Sequence, residues 1–544
     1  MKLRKLRTEK TIDFFKTAAI YLLTVSMLTS AGLYINAMQN AGQPAEIPWE
    51  KRRIIESGGT GLGEIKINEN QINPVQITIT AGNKSFTAIY NHEAISYFYE
   101  DFVKSSISGI FNRNSQCRRL EKEEGEILWN KCAEKENSVY VKYAGNYIYP
   151  VIYTFLDKTW DIRNPADAFS EKDRELAMVH ELFIVDEESV YGVAKDIDGN
   201  VSVFMPDNET GSMIKSRINT ENLSAYNNTA GGNPIQCEFL KSDDIADKTG
   251  INSNNIKNLR FPVNFHLFYN YNTYSSVLRF SNPILDENGK INTDKSLIRD
   301  LFKIFNFNIE SAKSYLSGGG ISFVDGKNTV SFYKSGQIIY NYKPSDANLS
   351  NSLETGGIHL AKFLGYDADY YTPFEKIKAA SVFVSRLSGE LTGNGCDIYL
   401  KNIISDQDET LEVVFCYYYN GIKIKFDGLD DGIIIKIADN SITEVKIKSI
   451  SAALSSQNMI KNINPILVLS GIDDLISQDI NDINIDTDTE NINIKEEIAK
   501  NYKLKYDKIY DKFTVNELEL IYNINYSDYT SKNNDSVKAV WEIK

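Results

Sequence analysis

Histidine and cysteine are scarce in this chain of 544 residues, with four of the first and five of the second. His92, His180, His266 and His359 stand far apart. His180-Glu181 lacks the second His of a zinc-protease helix, and no other His has a partner at metal-ligand spacing. Cys117, Cys132, Cys237, Cys396 and Cys416 contain no CxxC, and their spacings do not describe a zinc site. Cys117/Cys132 and Cys396/Cys416 could each pair in an oxidising compartment. The simpler reading is a set of small, mostly buried thiols. There is no GxSxG elbow. Gly58-Gly59-Thr60-Gly61-Leu62-Gly63 can be fitted to GxGxxG, but no strand precedes it to aim a helix at a pyrophosphate, so it reads as linker. Gly318-Gly319-Gly320 lacks the Lys-Ser/Thr of a phosphate loop and reads as a turn. The sequence therefore offers no recognisable catalytic motif, metal ligand set or cofactor site, although an exported enzyme with a dispersed active site stays open on the residues alone.

Charge is unevenly placed. The first 16 residues carry Lys2, Arg4, Lys5, Arg7, Lys10 and Lys16 against Glu9 and Asp13, a net charge of +4, whereas the whole chain stands at −14. The remainder is thus strongly acidic, which argues against nucleic acid or an anionic membrane surface as its main partner. At 42% hydrophobic and 24% charged residues, the chain has the composition of a folded protein rather than a disordered one.

Directly behind the basic tail, residues 17–45 carry no charge, and 17–38 are long enough to cross a bilayer once as a helix of about 20 residues. The positive-inside rule keeps residues 1–16 in the cytoplasm and sends everything after the span outside. A cleaved signal peptide is the competing reading, and a buried core helix a third. Thr29-Ser30-Ala31 could serve as a cleavage site but lies within the apolar run. Ile35-Asn36-Ala37 and Gln39-Asn40-Ala41 both place a large residue at −3, and no Cys follows for a lipoprotein anchor. The expectation is an uncleaved, single-pass anchor. Small residues allow helices to approach closely in lipid, and Ala19, Ser26 and Ser30 fall near one face of the span. They are the candidate helix–helix contact; the bland alternative is that small residues are simply tolerated there.

The body reads as α+β, a multidomain arrangement of antiparallel sheets packed with helices. Residues 39–63 form a linker. An N-terminal α+β domain covers 64–281, a central helix with a β-meander 282–345, an α+β domain 346–455, and a C-terminal α+β domain 456–544. In the first, Ile95, Phe98, Tyr99, Phe102, Val103 and Ile107 give an apolar face to a helix over 92–107. Hairpins are expected at Ala144-Gly145-Asn146 and Asp198-Gly199, with a helix at 171–183 between them. Residues 207–258 read as loops. A helix over 294–305 precedes a meander turning at Asp325-Gly326 and Ser335-Gly336. A helix over 352–364 ends at Gly365, placed for a left-handed cap. Strands follow at 411–419, 422–426, 433–437 and 442–450. Helical stretches are expected near 457–470 and 495–502, and strands at 518–526 and 539–543. The acidic run 473–490 could attract calcium but lacks EF-hand spacing and reads as a solvated loop. The aromatic cluster 415–419 could mark a ligand surface; sheet packing explains it first.

This order of parts resembles the YycH family. The resemblance rests on the basic tail, single span and long body, and is most specific from about residue 296 onward. It is carried there by the helix 297–305, the meander turns at Asp325-Gly326 and Ser335-Gly336, and the amphipathic helix 353–365. Tyr417-Tyr418-Tyr419-Asn420-Gly421-Ile422 and Val540-Trp541-Glu542-Ile543 extend it. Residues 64–280 match through element order only. The resemblance implies a non-enzymatic, membrane-anchored accessory regulator of a sensor histidine kinase in a two-component system for cell-wall metabolism. It implies contacts through the membrane span and the extracytoplasmic body, and a YycI-like paralogue as hetero-oligomer partner. The alternative from the residues alone is an anchored extracytoplasmic binding module for peptide or cell-wall fragments.

Overall fold

The computed structural model describes residues 69–156 (except 83 and 113), 177–218, 235–241, 266–269, 274–293 (except 287), 296–343 (except 318), 357–391, 396–405, 410–455, 460–461, 518–524 and 536–543. The chain divides into two units, Met1–Ile54 and Ile55–Lys544. The first lies wholly outside the described residues, so the span expected over 17–38 and its face Ala19, Ser26 and Ser30 fall there too. Among the described residues no helix is long and apolar enough to cross a membrane.

The body begins with β1 (Pro74–Ala81), β2 (Lys84–Ile89) and helix α1 (His92–Phe98), which runs through a π turn at Tyr99–Val103 into α2 (Lys104–Ile110). Then come β3 (Gln116–Arg119), α3 (Lys122–Ala133), β4 (Asn137–Ile148), α4 (Tyr149–Leu156), β5 (Met178–Asp186), β6 (Val190–Lys195), β7 (Val201–Met205), α5 (Asn208–Arg217), β8 (Ile235–Lys241) and β9 (His266–Tyr269). The nine strands form one sheet in the order β3-β7-β6-β5-β4-β1-β2-β8-β9. Helices cover both of its faces. Ile95, Phe98, Tyr99, Val103 and Ile107 of the α1–α2 stretch pack with Val139, Val141 and Leu182 on one side. Trp129 of α3 packs with Tyr140, Phe183 and Val193 on the other. The alternate residues of β4 and β5 therefore enter two different cores, as a period-2 strand requires.

The second half follows with β10 (Tyr274–Ser275), β11 (Leu278–Ser281), α6 (Ser296–Ile304), β12 (Lys313–Ser317), β13 (Gly320–Asp325), β14 (Asn328–Tyr333), β15 (Gln337–Tyr342), β16 (Ile358–His359), α7 (Ala361–Leu364) and α8 (Pro373–Leu391). It ends with β17 (Cys396–Ser405), β18 (Leu411–Tyr419), β19 (Ile422–Phe426), β20 (Ile433–Ala438), β21 (Ser441–Lys448), β22 (Ser451–Leu454), β23 (Ile460–Lys461), β24 (Leu518–Ile524), β25 (Ser536–Val537) and β26 (Val540–Ile543). A 12-stranded sheet runs β12-β13-β14-β15-β21-β20-β18-β19-β24-β26, with β16 on β21 and β17 on β18. Its hydrogen bonds continue from the meander through to the last strand. The pair β19–β24 is parallel; the others are antiparallel.

This sheet forks at β18. One edge of β18 pairs along its length with β17. On the other edge, Leu411 to Phe415 pair with β20 and Tyr417 to Tyr419 with β19. The six residues 427–432 joining β19 to β20 therefore sit in the cleft of the fork. Helices α6 and α8 pack on the sheet: Phe305 stacks on Tyr340 at 5.3 Å and on Phe383 at 6.1 Å.

Several expected elements differ. Residues 138–153 are not a hairpin: β4 continues through 144–146 as one strand, with a bulge rather than a turn, and the chain then becomes helical at Tyr149. The run from Tyr149 to Leu156 is apolar nearly all round and buried, so its periodicity does not separate strand from helix. From Met178 on, the helix expected over 171–183 is a central strand between β4 and β6. Residues 207–258 are not all loop. Asp207 caps α5, its carboxylate accepting from the Thr210 N–H at 2.8 Å, and β8 follows. Of the helix expected over 352–364, residues 352–356 lie outside the described residues, and from Gly357 on the chain is helical only from Ala361; Gly357 has φ +101° and Ile358 pairs with Ile442, which a right-handed helix does not permit. Gly365 does take the left-handed cap, at φ +79°. Ile460–Lys461 is a strand on β10 rather than a helix. The N-terminal and meander helices, the Asp198-Gly199 hairpin and the strands between 411 and 448 stand as expected. The helix near 495–502 and the acidic run 473–490 lie outside the described residues.

Candidate functional site

Three strand irregularities converge on one place. In β1 the pairing with β4 shifts between Pro74 and Gln76, leaving Val75 as an extra residue. In β4 the pairing with β5 jumps from Lys142–Glu181 to Tyr147–Val179, so Tyr143 to Asn146 bulge out against His180. In β17 the pairing with β18 shifts between Leu400 and Asn402, so Lys401 is extra. A bulge leaves a residue outside the ladder and re-aims side chains. All three bulges line a cavity of about 180 Å³ between the two large sheets. Val75, Lys142, Tyr143, Ala144, Asn146 and His180 form one wall; Lys401, Asn402, Tyr418, Lys423, Asp430 and Glu519 form the other, with Ile197 also in the lining.

The walls are held together at their bulges. The Tyr147 hydroxyl donates to the Leu400 carbonyl. A Cβ on Gly145 would stand 2.2 Å from the Lys401 carbonyl oxygen, so only glycine lets the backbones come this close. The Gly145 carbonyl in turn accepts from His180 Nδ1 at 2.9 Å. A carbonyl can only accept, so this nitrogen carries the proton.

The fork supplies the charge. Lys401 Nζ donates to Asp430 and to Asp431, each at 2.5 Å. Lys423 Nζ lies 3.0 Å from Glu519 and 3.6 Å from Asp430, and next to it Lys425 pairs with Glu542 at 2.6 Å. Burial pulls the Lys401 ammonium down, but its hydrogen bonds to Asp430 and Asp431 outweigh that and hold it above the ordinary lysine value. Burial pushes Asp430 up, and the charges of Lys423 and Lys401 overcome this and hold it below the ordinary range. Three polar atoms of the lining are buried without a hydrogen-bond partner: the hydroxyls of Tyr143 and Tyr418, and Asn146 Oδ1.

The remaining residues weighed from the sequence are scattered. His92 Nδ1 faces Asp397 at 3.5 Å, and burial raises the Asp397 carboxyl. His359 Nε2 lies 3.7 Å from Asp367. Among the described residues no group of three His, Cys, Asp or Glu could hold a metal ion. All five cysteines are free. Cys396 pairs with Tyr419 and Cys416 with Tyr399 on the β17–β18 ladder. The two thiols are thus three rungs apart, roughly 10 Å along a strand, beyond the reach of a disulfide. Of the aromatic cluster, Phe415 and Tyr417 are core and Tyr418 lines the cavity.

No protein-family model matches the sequence, and no curated protein does. The fold is similar to the crystal structure of YycH from Bacillus subtilis over 88% of this chain and 95% of that one, at 8% sequence identity and a TM-score of 0.43.

Proposed function

We propose that the chain is a membrane-anchored, non-enzymatic regulator of a sensor histidine kinase in a two-component system governing cell-wall metabolism. In this reading residues 1–16 are cytoplasmic, 17–38 cross the membrane once, and the body stands outside. The observation that carries it is the N-terminal arrangement, six basic residues followed by 29 residues without charge ahead of an acidic body. Such a chain reaches a kinase in only two ways, by packing its span in lipid and by surface contact outside. The body suits the second. The charged groups at its fork neutralise one another, Lys401 with Asp430 and Asp431, Lys423 with Glu519, which gives a fixed platform between the sheets. A YycI-like paralogue is the proposed companion in a hetero-oligomer.

The test replaces residues 17–38 with an unrelated apolar helix. A reporter fused at Lys544 checks that the body stays outside, and transcription from the kinase's target promoters is read alongside. The reading expects export to persist and signalling to change. Unchanged signalling, with no kinase co-purifying with the full chain, would overturn it. The second reading, an anchored binding module acting without a kinase, is favoured by the inter-sheet cavity with its unpartnered polar atoms and predicts a ligand-dependent rise in thermal stability.

A further inference from the structure

We infer that Lys362 of α7 and Arg386 of α8 together form a binding site for a phosphoryl group. The site lies apart from the inter-sheet cavity and does not rest on the kinase reading.

The two cations are held in place without being neutralised. Lys362 Nζ donates to the carbonyls of Lys303 at 2.9 Å and Ile304 at 3.1 Å, where α6 ends. Arg386 Nη2 donates to the Lys362 carbonyl at 3.3 Å, and the guanidinium carbon lies 5.0 Å from the centre of the Phe363 ring. These contacts set each charge against a dipole or a π face. Among the described residues neither cation has a carboxylate partner. Lys303 beside them already has its own, Asp300 at 2.5 Å. The lysines of the fork are different, since Lys401, Lys423 and Lys425 all face acids. Burial, and after it the charge of Arg386, brings the Lys362 ammonium from 10.5 down to about 8, and burial lowers Arg386 as well. No carboxylate lifts either of them back, as Asp430 and Asp431 lift Lys401. Two half-buried like charges side by side disfavour each other, and such an arrangement marks a candidate functional site.

Charge and hydrogen bonding together select the ligand. An ammonium carries three donors and a guanidinium five. The protein accepts two from Lys362 and one from Arg386, so most of the donors await an acceptor from outside. Both side chains are half-buried and therefore reachable from solvent. A neutral acceptor would leave the two positive charges uncompensated. A carboxylate would answer one of them. A phosphate monoester carries about −1.5 to −2 at pH 7 and three acceptor oxygens, which matches the pair in charge and in donors. The guanidinium fork can grip two of those oxygens while the ammonium acts as a point charge. The Phe363 ring and the end of α6 already fix both side chains, so little rotamer freedom remains to be lost on binding.

The Lys362 amine is itself the reporter. The full-length chain is acetylated briefly with acetic anhydride at pH 8 and constant ionic strength, and each lysine is followed by mass spectrometry. Inorganic phosphate should slow acetylation of Lys362 saturably, by about threefold or more, because a bound dianion keeps the amine protonated and covers it. The exposed Lys290 should be unaffected. Acetate should need about tenfold higher concentration for the same protection. Methyl phosphate distinguishes the sources: protection equal to that by phosphate assigns the site to a phosphoryl group carried on a larger molecule, and protection by inorganic phosphate alone assigns it to the free ion. Arg386→Met keeps an apolar stem on Phe363 and removes the fork; it should raise the half-saturating phosphate concentration about tenfold or more. Arg386→Lys keeps the charge without the fork and should raise it by less, which preserves the test if the methionine variant does not fold. No protection at millimolar phosphate, equal protection by acetate, equal slowing of Lys290, or an unchanged half-saturation in the Arg386 variants would overturn the inference. All of these outcomes are read without a kinase, so failure here leaves the regulatory reading to its own test.

Discussion

Lys423 of β19 and Glu519 of β24 meet at 3.0 Å inside the protein, with only 8% and 12% of their side chains exposed, although 96 residues separate them in the chain. The pair sits where the second sheet forks and where the inter-sheet cavity opens. Removing one member leaves the other charge buried. Glu519→Gln is expected to cost about 3–5 kcal/mol in urea unfolding. Replacing both residues, Lys423→Met with Glu519→Leu, should recover most of that loss. If the double variant is as unstable as the single one, the attraction between the pair is not what the fold relies on.

Gly145 marks the closest approach of the two sheets. In Gly145→Ala the new methyl would lie 2.2 Å from the Lys401 carbonyl oxygen and 2.6 Å from the Tyr147 ring. Backbone on one side and a hydrogen-bonded tyrosine on the other leave little room to yield. We expect a loss of about 1–3 kcal/mol, measured by denaturant titration with an unchanged slope. A neutral substitution would show that the sheets can part here without cost.

Glu181 provides a pH signature. Burial pushes its carboxyl up, but attraction to Lys195, then Lys142 and His180, prevails and brings it from 4.5 to about 2. A carboxyl lowered by folding stabilises the native state fully above its unfolded value and loses that contribution as pH falls toward the folded value. The shift is worth about 3 kcal/mol. Wild type and Glu181→Gln should therefore differ in stability at pH 6, and the gap should narrow between about pH 4.5 and pH 2. A gap that stays constant across that range would remove the ion pair with Lys195 as its cause.

Burial raises the thiols of Cys132, Cys237 and Cys416 to about 12. The thiolate is the reactive form, so at neutral pH these three should be alkylated only as fast as the protein opens. Iodoacetamide labelling followed by mass spectrometry distinguishes them from denatured controls. Rapid labelling of any of the three in native buffer would contradict the burial.

The sequence made the strands of 411–448 legible because Asn420-Gly421, Asp431-Gly432 and Asn440-Ser441 separate alternating apolar runs, which is a local signal. Three elements carried signals that composition obscured. Thr372-Pro373-Phe374-Glu375 is a capping box: the Thr372 N–H donates to the Glu375 carboxylate at 2.7 Å, and the Glu375 N–H donates to the Thr372 hydroxyl at 3.3 Å. It opens the 19-residue α8, which the strand-rich surroundings hid. Asp207 likewise announces α5 as an N-cap. Ala144-Gly145-Asn146 looked like a turn, since turns and bulges favour the same residues. What decides between them is the Lys401 backbone lying across the sheets, and no local pattern contains that. The cavity was illegible for the same reason. Its lining comes from nine stretches of chain, and His180, an isolated histidine in the sequence, gains meaning only from the carbonyl of Gly145.

The fork also sets an order of events during synthesis. β24 completes the cavity, and besides Glu519 it brings the Leu520 N–H to the Tyr90 hydroxyl at 3.0 Å across 430 residues of chain. Contacts of that separation form late and slowly, because the long loop must close before it is rewarded. Until residues 518–524 have emerged, Lys423 is without Glu519 and the first sheet is without this tie to the second. The body thus remains an unfinished structure for most of its own translation. Whatever protects its sheet edges has to act before the final strands arrive.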